Sequence, residues 1–435
     1  MSLRVALVVP DLGIEDYNNP RHAQLPALAE ACKAREVDLV VIPEGYYYSE
    51  DERTEPAAEG DAEYFGVPVL VGVSTAKGFE VAQYLNPKPG PSETCSQNYV
   101  KHSTSKRLAF DWPGYREIQR AMFKPIILKG RKIGVQICHD MFSGLLGQRW
   151  RASGADTYIN LTGGGVNARK WTNMIRARSL ELDAPYLCAM SIREEGTSTA
   201  IAYRDGRVLP ATREKWNKSG SGWAVMDLDA RTLPEGDDEQ DYTDKVYKDI
   251  TIALGSDEKA DVTIKHTGRK FAMNGASRRA DGWFELKNRA GRTGLLPLPV
   301  AALKDGLAIH RADAPRGAFD HHIVVYHSAE DPADHRRVLD LMKARAIEHR
   351  IGVLVLAGHY REAVKTNRYK NIQRFRATGS VFGFDANFLG GTWSTAGTAV
   401  SLGITEEAFP QYLSLREPGR ERLPDQPAAP KKPRT

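Results

Sequence analysis

The sequence is poor in cysteine and lacks any long apolar run. Its four cysteines, Cys32, Cys95, Cys138 and Cys188, form no CxxC pair and lie near no pair of histidines, which argues against a disulfide framework and a zinc site. No apolar run approaches the roughly 18 residues that span a bilayer, and the N-terminus lacks the pattern of a signal peptide. We therefore expect a cytoplasmic protein without a membrane partner or a metal, in which a free reactive thiol is chemically permissible.

The chain also has no strong net charge of either sign. Lys and Arg number 60 against 55 Asp and Glu, a net charge of +5 over 435 residues. An excess this small, spread along the chain, gives no reason to expect a nucleic-acid partner. The hydrophobic share of 41% is ordinary for a globular protein. A chain of this length predicts two domains, or one large domain with an appendage.

Short apolar runs alternate with helical patterns in the first half of the chain. Segments such as "RVALVVP" and "VDLVVIPE" are typical of buried strands, and "HAQLPALAEACKAREV" is typical of a helix. Near residue 230 the composition becomes acidic, and beyond it a second block has its own strands. We predict a first domain over 1–232, an acidic linker or arm over 233–255, a C-terminal α/β block over 256–417 and a disordered Pro-rich tail over 418–435.

Three reactive side chains follow predicted strands of the first domain. Glu44 comes after "VVIP", Lys101 after "NYV" and Cys138 after "KIGVQI". If the three strand ends meet, Glu44 can take the proton of the thiol, Cys138 can attack a carbonyl carbon, and Lys101 can stabilise the oxyanion that develops. Together these residues indicate acyl-transfer chemistry.

Each of these residues also has a purely structural interpretation. A cysteine that ends a strand is usually buried packing, and Glu44 could cap a helix or form an ion pair. Lysines are usually solvated, and Lys106 is a rival for the role of Lys101. Cys188 ends a similar strand with no acid or base placed for it, so we interpret it as part of the core.

The segments "PEGYY", "YVK" and "GVQICHD" resemble, in the same order, the three motifs of the nitrilase (carbon–nitrogen hydrolase) superfamily. "MIRARSLELDAPYLC" and "GTSTAIAYRDGRVL" are similar to later segments of that family. The resemblance covers about residues 3–229 and implies a four-layer α-β-β-α sandwich. It also implies a catalytic triad of Glu44, Lys101 and Cys138 that needs no cofactor.

The activity that the resemblance implies is hydrolysis of a non-peptide C–N bond through a thioester on Cys138. The backbone N–H of His139 would be a second oxyanion donor, and the pair His139-Asp140 favours a small amide-like substrate over a nitrile. The family also implies a homodimer. The alternative is a binding or regulatory module that uses the same fold without turnover.

The chain departs from the family pattern at three places. Leu182 follows Glu181 where the family usually has Asn, and the first candidate for a second glutamate after the lysine is Glu117. Lys106 also matches a family-like run, "KRLAFD", but Lys101 keeps the YxK spacing and the shorter hairpin, so we choose Lys101. The C-terminal block matches no family pattern and contains no cysteine, and we expect it to shape substrate access or assembly.

Overall fold

The computed structural model divides the chain into two compact units, Met1–Asp237 and Asp238–Thr435. The residues that the structure describes are 2–10, 25–49, 62–75, 80–103, 123–163, 168–191, 200–215, 222–233, 250–255, 259–266, 269–279, 283–288, 291–305, 321–328, 337, 340, 341, 344, 345, 352–363, 372–382 and 388–392. The domain boundaries expected from the sequence stay predictions.

The first unit contains a seven-stranded mixed sheet. Its strands lie in the order β12-β13-β1-β2-β3-β4-β5. The bounds are Arg4–Val9 (β1), Leu39–Ser49 (β2), Val69–Thr75 (β3), Glu80–Leu85 (β4), Ser96–Val100 (β5), Ala211–Lys215 (β12) and Gly222–Asp227 (β13). Strands β4 and β5 pair antiparallel and form the hairpin that precedes Lys101.

A six-stranded sheet packs face to face with the first. Its order is β11-β10-β9-β8-β7-β6, and β8 and β9 contact β2 of the first sheet. The bounds are Ile126–Leu128 (β6), Arg131–Ile137 (β7), Thr157–Thr162 (β8), Tyr186–Met190 (β9), Ala200–Arg204 (β10) and Arg207–Val208 (β11).

Helices cover the outer faces of both sheets. Helix α1 spans Leu25–Ala34 and buries Leu28 and Cys32 in one cluster with Ala6 and Val40 of the first sheet. Helices α2, Gly144–Ala152, and α3, Ala168–Leu182, contact the second sheet. The layers therefore run α-β-β-α, and the predicted four-layer sandwich is confirmed.

The central strands are apolar on both faces because both faces are covered. Along β2, residues 39–42 are fully buried. Val40 and Ile42 join the cluster under α1, so Leu39 and Val41 point to the opposite side, where the second sheet lies. This arrangement explains why "LVVI" shows no alternation of apolar and polar residues.

The second unit is built on a nine-stranded sheet, β14 to β22 in chain order. Strand β14 also pairs with β21, so the sheet closes on itself. Strands β18, β19 and β20 are parallel, and helical residues between 337 and 345 precede β20. The bounds are Ile250–Gly255 (β14), Lys259–His266 (β15), Arg269–Arg278 (β16), Phe284–Asn288 (β17), Gly291–Pro299 (β18), His321–Ser328 (β19), Gly352–Ala363 (β20), Ile372–Phe382 (β21) and Phe388–Thr392 (β22).

The described part of the chain was tested for two features, a membrane-spanning helix and a metal-binding cluster, and shows neither. No helix there is long and apolar enough to cross a membrane. No group of three or more His, Cys, Asp or Glu side chains there is arranged to hold a metal ion.

Candidate active site

Glu44 lies within a bulge of β2, and the expectation that it would follow the end of a strand is wrong. Strand β2 pairs with β3 up to Ile42, and pairing resumes at Tyr47 with a shifted register. Gly45 has a φ of 72°, a left-handed conformation that glycine adopts at no steric cost. The bulge re-aims the Glu44 side chain, as bulges beside active sites often do.

The backbone of the bulge lies against Gly72 of β3, in space that a side chain at residue 72 would fill. A Cβ atom at position 72 would lie 2.4 Å from the Cα of Glu44 and 2.6 Å from the carbonyl oxygen of Pro43. Real Cβ atoms essentially never make contacts below 3.0 Å. The backbone of Glu44 can therefore hold its position only because residue 72 has no side chain.

Lys101 lies one residue beyond the end of β5, as predicted, and its ammonium pairs with the Glu44 carboxylate. The Nζ atom contacts Oε1 of Glu44, and both side chains are about nine-tenths buried, at 11% and 9% exposed. The other carboxylate oxygen, Oε2, accepts a hydrogen bond of 2.9 Å from the backbone N–H of Gly163. Gly163 follows β8 directly, so the backbone at the end of this strand fixes the carboxylate.

Cys138 follows the end of β7 directly, and its backbone is strained. Its φ of 50° is a left-handed conformation that is uncommon for a residue with a side chain. A 3₁₀ helix, Cys138–Phe142, begins at this residue. The side-chain amide of Asn160, in the neighbouring strand β8, donates a hydrogen bond of 3.1 Å to the carbonyl oxygen of Cys138 and so holds the turn.

The structure brings the Cys138 thiol together with Glu44 and Lys101. The Glu44 carboxylate and the Lys101 ammonium both lie close enough to the thiol to act on it electrostatically. Burial, followed by the Glu44 charge, raises the pKa of the Cys138 thiol well above its usual value, and Lys101 only partly opposes this shift. The thiol is therefore protonated at neutral pH and needs a base to become a nucleophile.

Lys101 keeps its positive charge in this environment. Burial alone would lower the pKa of the ammonium, but Cys138 and Glu44 outweigh burial and raise the pKa above its usual value. A buried cation that stays charged at neutral pH can stabilise an anion that forms beside it.

Asp140 is a site residue whose structural role sequence reasoning missed. Its carboxylate is fully buried and accepts hydrogen bonds from the hydroxyls of Tyr99 at 2.9 Å and Ser103 at 2.7 Å. It also accepts from the backbone N–H groups of His102 at 3.1 Å and Ile137 at 3.2 Å. Since these donors flank Lys101 and Cys138, Asp140 links the segments that carry these two residues.

Burial disfavours the charged form of the Asp140 carboxyl. It raises the pKa of the Asp140 carboxyl, and the hydrogen bond from Ser103, the neighbouring His102 and the hydrogen bond from Tyr99 oppose that shift. The signal in the sequence was the "CHD" triplet, which we interpreted only as a guide to the substrate.

A hydrogen bond also connects helix α3 to the 3₁₀ helix that begins at Cys138. The Nε atom of Arg178 donates a hydrogen bond of 2.8 Å to the carbonyl oxygen of Met141, in the 3₁₀ helix that begins at Cys138. The guanidinium also forms a buried ion pair with Glu181. Both residues belong to the "RARSLEL" segment that carried part of the family resemblance.

The remaining cysteines differ sharply in environment. Cys32 and Cys188 are buried and Cys95 is exposed. Burial raises the pKa of Cys188 to about 12, which supports its interpretation as a core residue. The rival lysine, Lys106, and the candidate second glutamate, Glu117, lie outside the described residues.

Comparisons with known proteins give a likeness in fold. No protein-family model matches the chain, and no curated protein sequence does so significantly. Among solved structures, Saccharomyces cerevisiae Nit3, a member of branch 10 of the nitrilase superfamily, is 16% identical, with 52% of this chain and 90% of that chain covered and a TM-score of 0.38. An amidase from Nesterenkonia sp. is 17% identical over the same shares, again with a TM-score of 0.38. A carbon-nitrogen hydrolase from Helicobacter pylori is 15% identical, with 52% and 89% covered and a TM-score of 0.38.

Each of these solved structures covers about half of this chain. At these identities and TM-scores, function has to be inferred from the side chains themselves.

Proposed function

We propose that the protein hydrolyses the C–N bond of a small amide or carbamoyl-type compound, with Cys138 as nucleophile, Glu44 as base and acid, and Lys101 as oxyanion donor. One observation carries this proposal. Three residues that are far apart in sequence meet in one buried cluster, where the Glu44 carboxylate pairs with the Lys101 ammonium and both charges act on the Cys138 thiol.

The first half of the reaction forms a thioester. Glu44 takes the thiol proton, and the sulfur electron pair attacks the carbonyl carbon of the substrate. The carbonyl π electrons move to oxygen, and Lys101, with the backbone N–H of His139, stabilises the oxyanion. When the tetrahedral intermediate collapses, the C–N bond breaks and the nitrogen takes the proton from Glu44, so that ammonia or an amine leaves.

The second half releases the acid. Glu44, again a carboxylate, takes a proton from a water molecule, whose oxygen attacks the thioester carbon. Collapse breaks the C–S bond, and the proton on Glu44 returns to sulfur. The cycle is balanced by one water consumed for each C–N bond broken, and it uses only groups that the chain supplies.

The electrostatics of the cluster support these roles. The thiol, whose pKa is raised by burial, cannot ionise alone, and Glu44 is the carboxylate that acts on it most strongly. The ammonium of Lys101, whose pKa is raised, remains a cation throughout. A binding module would have no evident use for a strained nucleophile held between a base and a cation.

A screen of small amides, carbamoyl compounds and nitriles, with ammonia as the readout, tests the proposal. We expect ammonia release from one or more amide-like compounds, with the corresponding acid as co-product. Nitrile hydrolysis without amide hydrolysis would contradict the substrate class. If no compound is hydrolysed and a thiol-directed electrophile fails to label Cys138 near neutral pH, the enzymatic proposal fails and the binding-module alternative replaces it.

We also propose that the protein acts as a homodimer in the cytoplasm. This proposal rests on the resemblance in the sequence alone. Sedimentation equilibrium of the full chain, with a mass of 48.2 kDa per copy, distinguishes a dimer from a monomer.

A further inference from the structure

A second group that can accept a proton lies against the nucleophile. The Nδ1 atom of His139 is 3.2 Å from the Sγ atom of Cys138, within hydrogen-bond distance for sulfur. The roles expected from the sequence for His139 are oxyanion donation through its backbone N–H and, with Asp140, a preference for an amide-like substrate, and neither concerns the thiol. The position of the imidazole ring is therefore a separate observation.

Aromatic packing holds the ring in this position. The His139 ring meets Phe142 edge-on at 5.3 Å between centroids and Trp171 at 5.4 Å. The indole N–H of Trp171 donates a hydrogen bond of 3.0 Å to the hydroxyl of Thr162 at the end of β8. The ring is thus packed between two side chains, one of which is itself anchored to the sheet.

The charged groups around the pair come from several elements. Glu44 in β2 and Lys101 after β5 act on the thiol, and Asp140 raises its pKa slightly further. The buried pair of Arg178 and Glu181 lies on α3, where Arg178 contacts the 3₁₀ helix that contains His139. Both oxygens of Glu44 already accept hydrogen bonds, from Lys101 and from Gly163.

We infer that the His139 imidazole is a second proton acceptor for Cys138, and that the thiol ionises by passing its proton to either Glu44 or His139. This inference deepens the proposed function, on which it rests. In the transfer the S–H bond breaks, sulfur keeps the electron pair, and the Nδ1 lone pair of the neutral Nε2–H tautomer takes the proton. The product is a thiolate beside an imidazolium, a pair of opposite charges in contact.

The thiolate–imidazolium pair changes which group supplies the proton to the leaving nitrogen. Once the thiol proton has passed to His139, the imidazolium holds the proton that the leaving nitrogen takes when the C–N bond breaks. Glu44, whose oxygens accept hydrogen bonds from Lys101 and Gly163, remains a carboxylate that can take a proton from water in the second half of the reaction. His139 then acts as a catalytic residue that touches the reacting sulfur.

Alkylation of Cys138 by iodoacetamide tests the inference without any knowledge of the substrate. The thiolate displaces iodide, so the rate reports the ionised fraction. The rate is measured against pH at the Cys138 peptide by mass spectrometry, because Cys95 is exposed and will also react. The Glu44→Gln variant removes the carboxylate acceptor, and Glu44→Gln/His139→Phe removes both acceptors.

We expect the midpoint of the pH profile to lie about one to two pH units higher in Glu44→Gln/His139→Phe than in Glu44→Gln, the size of shift that a hydrogen bond to a charged group produces. Phenylalanine suits the aromatic cluster, and His139→Asn places an amide near the Nδ1 position that can accept a hydrogen bond but not a proton. We expect Asn to give the same high midpoint as Phe. The matched control is His102→Phe in the Glu44→Gln background, which removes a nearby imidazole that does not contact the thiol, and it should leave the midpoint unchanged.

Equal midpoints in Glu44→Gln and Glu44→Gln/His139→Phe would overturn the inference. A midpoint restored by His139→Asn would also overturn it, because orientation rather than proton acceptance would then explain the effect. If the midpoints coincide while amides are hydrolysed, only the role of His139 fails. If the midpoints separate as expected while no amide is hydrolysed, the proposed function fails, and the role of His139 as a proton acceptor for Cys138 is retained.

Discussion

Replacing Gly72 by Ala tests whether the bulge in β2 positions the base. The new Cβ would lie 2.4 Å from the Cα of Glu44, about 1 Å closer than the 3.4 Å at which ordinary contact begins. The atoms it meets are backbone atoms, which cannot rotate away, so Glu44 has to move by roughly that distance. A misplacement of about 1 Å can cost on the order of 10²-fold in rate, and we expect a loss of that size in kcat/KM.

The assay is ammonia release on an amide that the wild-type protein hydrolyses, with thermal unfolding in parallel. Gly90→Ala is the matched control, because its Cβ would meet only the flexible side chain of Glu93, at 3.5 Å. A Gly72→Ala variant that is folded and as active as wild type would refute the claim that the close approach of β3 positions Glu44. A loss that Gly90→Ala shares would point to a general effect of the added methyl group.

Three further predictions concern Lys101, Asp140 and the other cysteines. Lys101→Ala should lower kcat by about 10²–10³-fold or more, as expected for a lost oxyanion donor, and Lys106→Ala should alter mainly binding or stability. The opposite pattern in steady-state kinetics would transfer the role to Lys106. Asp140→Ala should lower the free energy of unfolding in urea by at least about 3 kcal/mol, because four donors, three of them buried, lose their acceptor. A change within about 0.5 kcal/mol, the size expected for a surface substitution, would contradict the claim that Asp140 links the Lys101 and Cys138 segments. Iodoacetamide at pH 8 should label the exposed Cys95 and leave Cys188, whose pKa is raised by burial to about 12, unlabelled in the folded protein.

The sequence carried enough information to predict most of the sandwich and to place Lys101 and Cys138 directly after strands. Apolar runs mark the buried strands, and Lys101 and Cys138 each follow the strand that the pattern indicated. This success has a physical reason. A side chain that follows a strand lies at the edge of the sheet that contains the strand, and Lys101 and Cys138 follow strands of the two facing sheets. The strand pattern along the chain therefore already limits where each side chain can lie.

The bulge at Glu44 could not be predicted in this way. It depends on Gly72, a residue in a neighbouring strand, and a glycine in an apolar run has no local signal for what approaches it. The role of Asp140 was missed for a related reason, since its four donors come from two segments that only the fold brings together. The histidine beside the thiol was visible in the sequence, but the distance of its ring from the sulfur was not.

The most direct test of the central claim is ammonia release by Cys138→Ala beside the wild-type protein on the same amide. Alanine keeps the small apolar packing at this buried position and removes the sulfur that would form the thioester, and thermal unfolding verifies that the variant is folded. We predict that the folded variant releases no ammonia above the uncatalysed rate. Hydrolysis by Cys138→Ala at the wild-type rate would contradict covalent catalysis by this residue.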